Sequence, residues 1–193
     1  NGSGKTTLMN LMTGLIHADD GSITMRGLSP RDSEHLMRIT GYATQYDAAP
    51  RWATGFSFIT TSLLLFGYPR ADAEAKAWKA LQQLGLTEAA HRKMAAYSKG
   101  MRQRVRLAQS IAHEPEILVL DEPLNGLDPQ GIADIRKLVR HLSKDLGKTV
   151  FISSHLLGEM EQVADSLLII HKGKKIAEGA LSELIQPETI QME

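Results

Sequence analysis

Cysteine is absent from this 193-residue chain. That excludes a disulfide framework, a thiolate zinc site and a cysteine nucleophile. An excess of charge is absent too. Lys and Arg number 22 and Asp and Glu number 22, so the formal net charge is zero. A nucleic-acid module driven by bulk positive charge is therefore disfavoured. Aromatic residues are scarce, at 5%. Long apolar runs are also missing. The stretch from Phe56 to Tyr68 is broken by Ser57, Thr60, Thr61, Ser62 and Gly67. It falls short of the roughly 20 apolar residues that a membrane-spanning helix needs. If the protein works at a membrane, another chain does the spanning. What is present is ordinary globular composition, 42% hydrophobic and 23% charged. That supports one core, or one core with an inserted unit.

The first residues read Asn1-Gly2-Ser3-Gly4-Lys5-Thr6-Thr7. They match the later part of the phosphate-loop pattern G-x-x-x-x-G-K-[ST]. The pattern's first glycine, one further residue and the strand that feeds the loop are expected upstream, so the chain reads as shortened at its N-terminus. Gly2 and Gly4 let backbone amides face phosphate oxygens. Lys5 brings charge to the β- and γ-phosphates, and Thr6 offers a hydroxyl to Mg²⁺. A helix should follow, its N-terminus favouring an anion, with Leu8, Leu11, Met12 and Leu15 as its buried stripe.

Further along, a short strand is expected at Ile23 to Arg26 and a short helix at Arg31 to Arg38. Ile39 to Ala43 reads as a strand ending near Gln45. From Asp47 to His113 the pattern is mostly helical. Ala71 to Leu84 is the clearest helix, with Ala77, Leu81 and Leu84 on its apolar side and Gly85 as its stop. Three uninterrupted aliphatic runs follow: Ile117 to Leu120, Thr149 to Ile152 and Leu167 to Ile170. Such runs suit a sheet covered on both faces. Helical patterns lie between them, near Gln130 to Leu146 and Leu156 to Ala164, and Lys174 to Glu178 adds an edge strand. Strand–helix alternation predicts an α/β fold with a mainly parallel sheet.

Asp121 and Glu122 close the run Ile117 to Leu120. A carboxylate there can face a Mg²⁺ beside the phosphate loop. Asp121 is the natural metal partner, and Glu122 the natural group to orient or deprotonate an attacking water. A pair of acids in a turn is the plainer alternative.

The order of motifs resembles the nucleotide-binding domain of ABC transporters over nearly the whole chain. Asn1 to Thr7 is the phosphate loop, and Gln45 resembles the Q-loop glutamine. Tyr97-Ser98-Lys99-Gly100-Met101 resembles the signature segment. Leu118 to Glu122 matches Walker B, Leu124 to Asp128 the D-loop, and Ser153-Ser154-His155 the switch loop. The resemblance implies a P-loop NTPase, RecA-like core at 1–46 and 113–193 with a helical subdomain at 47–112. It also implies ATP and Mg²⁺ as ligands. Asn1, Gly2, Ser3, Gly4, Lys5, Thr6, Thr7, Ser98, Gly100 and Asp128 would contact nucleotide, with Thr6, Gln45 and Asp121 at the metal. Glu122, His155 and Gln45 would serve hydrolysis, His155 by reaching the γ-phosphate.

The same resemblance implies a head-to-tail dimer with a second copy, ATP lying between one copy's loop and the other's Ser98. A transmembrane permease would be the second partner, placing the protein at the cytoplasmic face of the membrane through that permease alone. Asp128 would shape the dimer contact, or cap a helix before Pro129. The adenine-stacking aromatic of the family lies upstream of the loop. The signature departs from the usual Leu-Ser-Gly-Gly-Gln at Tyr97, Lys99 and Met101, and the variant resembles bacterial exporters. Two rivals remain: a soluble, non-transport ABC ATPase, and a nucleotide-binding module without turnover.

Lys99, Arg102 and Arg106 share a helical face, opposite Met101, Val105, Ala108 and Ala112. A solvated face beside a nucleotide explains these cations without nucleic acid. Half of the ten aromatic residues are Trp52, Phe56, Phe58, Phe66 and Tyr68. They form either a docking surface for the permease or a small local core, with Trp52 expected to be exposed.

Overall fold

The computed structural model describes residues 2–45, 49–155 and 157–184. In chain order, α1 spans Lys5–Met12 and α2 Ser33–Ile39, followed by β1 at Thr40–Ala43. Three helices come next: α3 (Gly55–Leu65), α4 (Arg70–Gln83) and α5 (Lys99–Ile111). Then β2 (Ile117–Asp121), α6 (Pro129–Arg140), β3 (Thr149–Ser153) and α7 (Leu157–Met160) follow. The described chain closes with β4 (Ser166–His171), β5 (Lys174–Ala180) and α8 (Leu181–Leu184).

Strands β1, β2 and β3 form a parallel sheet in that order. Ala43 pairs with Leu120, and Asp121 with Ser153. The register therefore brings the C-terminal ends of all three strands to one edge. In open parallel sheets this edge is where ligands bind.

Strand β2 is buried along its whole length, and its period-2 alternation divides the core. Leu118 and Leu120 join a cluster with Val105, Ala108, Ile135 and Leu138. Ile117 and Val119 join the opposite cluster with Met9, Met25 and Leu36. The sheet is thus covered on both faces at β2. Helix α5 crosses β1 so closely that a Cβ on Gly41 would lie 2.0 Å from the Ser110 carbonyl oxygen.

Helices α3, α4 and α5 pack on one another. Helix α4 turns Ala73, Ala77, Ala80 and Leu81 inward, as its spacing predicts. Thr54 and Ser57 cap α3 reciprocally, each side chain bound to the other's backbone N–H. Of the five aromatics, Phe56, Phe58 and Tyr68 pack against this core, and Phe66 stacks on His113 at 4.7 Å. Trp52 is 79% exposed.

Several expectations are corrected. The buried side chain of α1 is Met9, not Leu8 or Leu11. The helix ends at Met12, which leaves Leu15 beyond it and 63% exposed. No strand forms at Ile23 to Arg26; an isolated bridge pairs Met25 with Leu28 around a two-residue turn. The helix expected at Leu156 to Ala164 is the single turn α7. The run Leu167 to Ile170 is a strand, but it pairs antiparallel with β5 in a separate two-stranded sheet. Lys172 and Gly173 have φ of 47° and 75°, the mirror-image turn that closes a tight hairpin. Local pairing therefore takes β4's backbone, and Leu168 and Ile169 stay 38% and 43% exposed.

Candidate functional site

The site begins where the loop turns into α1. Gly4 is the N-cap, with φ of 100°, a conformation that L side chains rarely adopt. The Gly173 N–H donates to the Ser3 carbonyl at 2.9 Å, so the hairpin turn steadies the loop. The Lys5 ammonium donates to Ser3 Oγ at 3.1 Å. The first turn of α1 holds no acidic residue. Its free N–H groups and Lys5 form an electropositive end suited to phosphate.

Asp121 ends β2 and is 1% exposed. Its carboxylate is held from two sides. Thr6 Oγ1 donates to Oδ2 at 2.8 Å, and Ser153 Oγ donates to Oδ1 at 2.6 Å. Ser153 in turn accepts the Glu122 N–H at 3.0 Å. Glu122 sits in the left-handed region, with φ of 52°. Non-glycine residues rarely hold that conformation, and it concentrates at functional positions. The 7%-exposed Glu122 turns its carboxylate toward His155, whose Nδ1 is 2.8 Å from Oε2. On the other side, Tyr42 donates to Asn10 Oδ1 at 2.8 Å. Burial, with the Asp121 charge added, pushes the Tyr42 hydroxyl up to about 12, so it remains a neutral donor.

A hydroxyl and a carboxylate touching at the end of α1 are hard oxygen donors. They fit Mg²⁺, which takes one or two carboxylates plus substrate phosphates and waters. No group of three or more His, Asp or Glu residues able to hold a metal occurs among the described residues.

Thr6, Asp121, Glu122 and His155 are therefore brought together beside Gly4 and Lys5. Gln45 lies at the same sheet edge, two residues after β1, and is exposed. Its carbonyl accepts from Arg106 at 3.1 Å, and its side chain makes no hydrogen bond to Thr6 or Asp121. Gly2, Ser3 and Thr7 flank the helix start, with Gly2 at φ 82°. Asn1 lies outside the described residues.

Ser98, Gly100 and Asp128 stand apart. No hydrogen bond joins them to residues 2–7. Ser98 caps α5 by accepting the Met101 N–H at 3.2 Å. Asp128 caps α6 by accepting the Gly131 N–H at 2.9 Å. The structure thus gives Asp128 the capping role. The arginines of α5 are not a freely solvated face either. Arg102 donates to the Tyr97 carbonyl at 2.5 Å, and Arg106 donates to the carbonyls of Thr44 and Gln45. Tyr97 is 3% exposed and donates to the Ala89 carbonyl at 2.7 Å. That contact anchors the segment to the helices.

Ser153 is the residue that sequence reasoning left without a role. Its link between Asp121 and the Glu122 amide follows from the β2–β3 register, which a lone sequence does not give.

The profile of the ABC transporter family matches residues 1–125. The ABC transporter ATP-binding protein YxlF of Bacillus subtilis is 37% identical over 188 residues, 97% of this chain and 62% of that protein. The bacitracin transport ATP-binding protein BcrA of Enterococcus faecalis is 39% identical over 95% of this chain and 59% of its own length. The chain thus spans less than two thirds of either relative. Among solved structures, CbiO1 from Clostridium perfringens, part of the ABC transporter complex cbiONQ, superposes with a TM-score of 0.82 at 25% identity. It covers 95% of this chain and 75% of that one. The fold is that of ABC ATPase domains.

Proposed function

Since this chain belongs to the ABC transporter family, we propose that it binds and hydrolyses ATP and thereby drives transport, with export as the direction. The observation that carries this reading is the hydrogen-bonded line from Thr6 through Asp121 and Ser153 to Glu122 and His155. It joins the phosphate end of α1 to both a carboxylate pair and an imidazole.

In this reading the α1 amides and Lys5 hold the β- and γ-phosphates. Thr6 and Asp121, with Gln45, hold Mg²⁺, which supplies charge neutralisation at the phosphates when bound. Glu122 orients a water in line with the γ-phosphate and accepts its proton. The bond between the γ-phosphorus and the bridging oxygen breaks, ADP leaves with the electron pair, and phosphate is released. His155, oriented by Glu122, reaches the γ-phosphate. Positioning and charge stabilisation carry most of such a reaction.

Ser98 and Gly100 lie at a different helix start from Lys5, so their use at a nucleotide calls for a second copy. The working unit is then a head-to-tail dimer, bound to a membrane-spanning permease at the cytoplasmic face. No described helix is long and apolar enough to cross a membrane. Residues 1–46 and 113–193 form the nucleotide-binding core, and 47–112 the helical insertion. The mutual packing of α3, α4 and α5 supports that division. Transport is supported by the bacitracin-transport relative, and export by the resemblance of the Tyr97–Met101 variant to bacterial exporters.

Glu122→Gln in the full-length protein tests the reading. ATP binding should survive, steady-state hydrolysis should fall by about a hundredfold or more, and an ATP-bound dimer should persist on size exclusion. Turnover at the parent rate would remove Glu122 from the reaction. A parent without turnover would favour a nucleotide-binding module.

A further inference from the structure

Lys99 is the residue of the Tyr97–Met101 segment whose chemistry the mechanism above leaves unused. Its side chain lies across Gly126. A Cβ on Gly126 would stand 2.3 Å from Lys99 Cε, 2.5 Å from Nζ and 2.8 Å from Cδ. Any side chain at 126 would therefore evict it. Lys99 is exposed, and its ammonium has no hydrogen bond or ion pair among the described residues. It also stands against a local rule. The first turn of α5 holds no acidic residue and opens on this cation, where the helix dipole favours negative charge. Broken local rules without compensation cluster at functional positions.

The turn beneath Lys99 leads directly out of Glu122. The Asn125 N–H donates to the Glu122 carbonyl at 3.1 Å. The same turn meets α5 again at Gly100, where a Cβ would lie 3.4 Å from Leu127 Cδ2. The Ser98 end of α5 and the turn after Glu122 thus form one packed unit, with an uncommitted ammonium at their contact.

We propose that Lys99 is a positioning residue that couples the phosphate facing Ser98 to the placement of Glu122 in its own subunit. This rests on the reading that Ser98 faces the nucleotide of a second copy. The ammonium waits over Gly126 with no partner among the described residues, so moving onto a phosphate breaks none of the described hydrogen bonds. Its departure uncovers the 124–128 turn, and the turn transmits that change to the Glu122 backbone. Gly126, at φ 77°, gives the stem room to rest there.

Steady-state ATPase kinetics of the full-length protein test this. Lys99→Met should lower kcat about tenfold, within the usual span of coupling between sites, while KM for ATP stays near the parent's because residues 2–7 are intact. Lys99→Arg should restore most of the lost kcat. Gly126→Ala should lower kcat in the same way, and the double variant should be no slower than the worse single, the mark of shared action. The parent's kcat should fall with added salt more steeply than that of Lys99→Met. Circular-dichroism melts establish folding, with Lys99→Gln as the second neutral variant. Parental kcat in both neutral variants, or additive effects in the double variant, would overturn the coupling. Ser98→Arg in the same assay separates the premises. If it turns over like the parent, the shared-site reading fails and this proposal with it. If it is inactive while Lys99→Met is parental, only the role of Lys99 falls.

Discussion

The helical unit α3–α5 and the β4–β5 hairpin use similar apolar residues to different ends. In the helical unit, Ile59, Leu63, Ala73, Ala77, Leu81 and Val105 are all within 1% of complete burial. In the hairpin, Leu168, Ile169 and Ile176 are 38%, 43% and 62% exposed. The helices present apolar stripes at helical spacing and have each other to cover them. The hairpin satisfies its backbone through a tight turn, and that satisfaction says nothing about what covers its faces. An apolar run thus specifies an element more firmly than it specifies its burial.

The largest test of this contrast is truncation in each region. Leu81→Ala removes a fully buried side chain and should cost about 2–5 kcal/mol. Ile176→Ala should stay within about 0.5 kcal/mol, as exposed positions do. Urea denaturation reads both, and equal costs would erase the distinction.

A second test asks how tightly the helical unit grips the sheet. On Gly41, a Cβ would meet the Ser110 carbonyl oxygen at 2.0 Å and Leu118 Cδ2 at 3.0 Å. Gly41→Ala should therefore cost about 1–3 kcal/mol through overpacking. Its effect should reach the melting of α5 as well as β1. A neutral result would mean that the helix can lift from the strand.

The smallest expected effect sharpens the comparison through pH. Glu114 joins α5 to β2 and accepts from Lys76 at 2.7 Å and Lys79 at 2.6 Å, both on α4. These lysines hold its carboxyl well below the usual range, at about 2. The folded state therefore favours the ionised form. Its contribution is present above the ordinary carboxylate value, near 4.3, and is lost as pH falls toward about 2. The stability difference between the parent and Glu114→Gln should shrink across that window. Both lysines and Glu114 are partly exposed, so salt should weaken the difference at neutral pH. Glu178→Gln in the hairpin, whose pair with Lys175 is mostly exposed, should change stability less. A parent-to-variant difference for Glu114 that is flat with pH would deny the clamp.

Much of the fold was legible because its signals are local. The α4 stripe, the Gly85 stop, the fully buried run at β2 and the carboxylates at its end all follow from spacing and composition. The register was not legible. Ser153 could be quoted as part of a motif, yet its hydroxyl bridges Asp121 and the Glu122 amide only because β3 lies parallel to β2 with Asp121 opposite Ser153. The stripe of α1 was legible only in part in the same way, Met12 packing as expected while Met9 takes the place given to Leu8. Leu8 and Met9 are both apolar neighbours, and contact with β2 selects Met9. Both roles for Asp128, a cap and a subunit contact, were written in the sequence, and the structure shows the cap.

By itself the sequence determined which residues are the candidates for the chemistry. A glycine-rich loop ending in Lys5 and Thr6, acids closing an aliphatic strand, and a histidine after another strand are fixed by residue type and order. Tertiary structure decided how they meet. It placed Thr6 and Ser153 on either side of the Asp121 carboxylate, held Glu122 at a positive φ facing His155, and laid Lys99 over Gly126. Those contacts join residues far apart along the chain, and their geometry depends on strand register and helix crossing. Both are set by packing on the sheet rather than by any local preference of the residues involved.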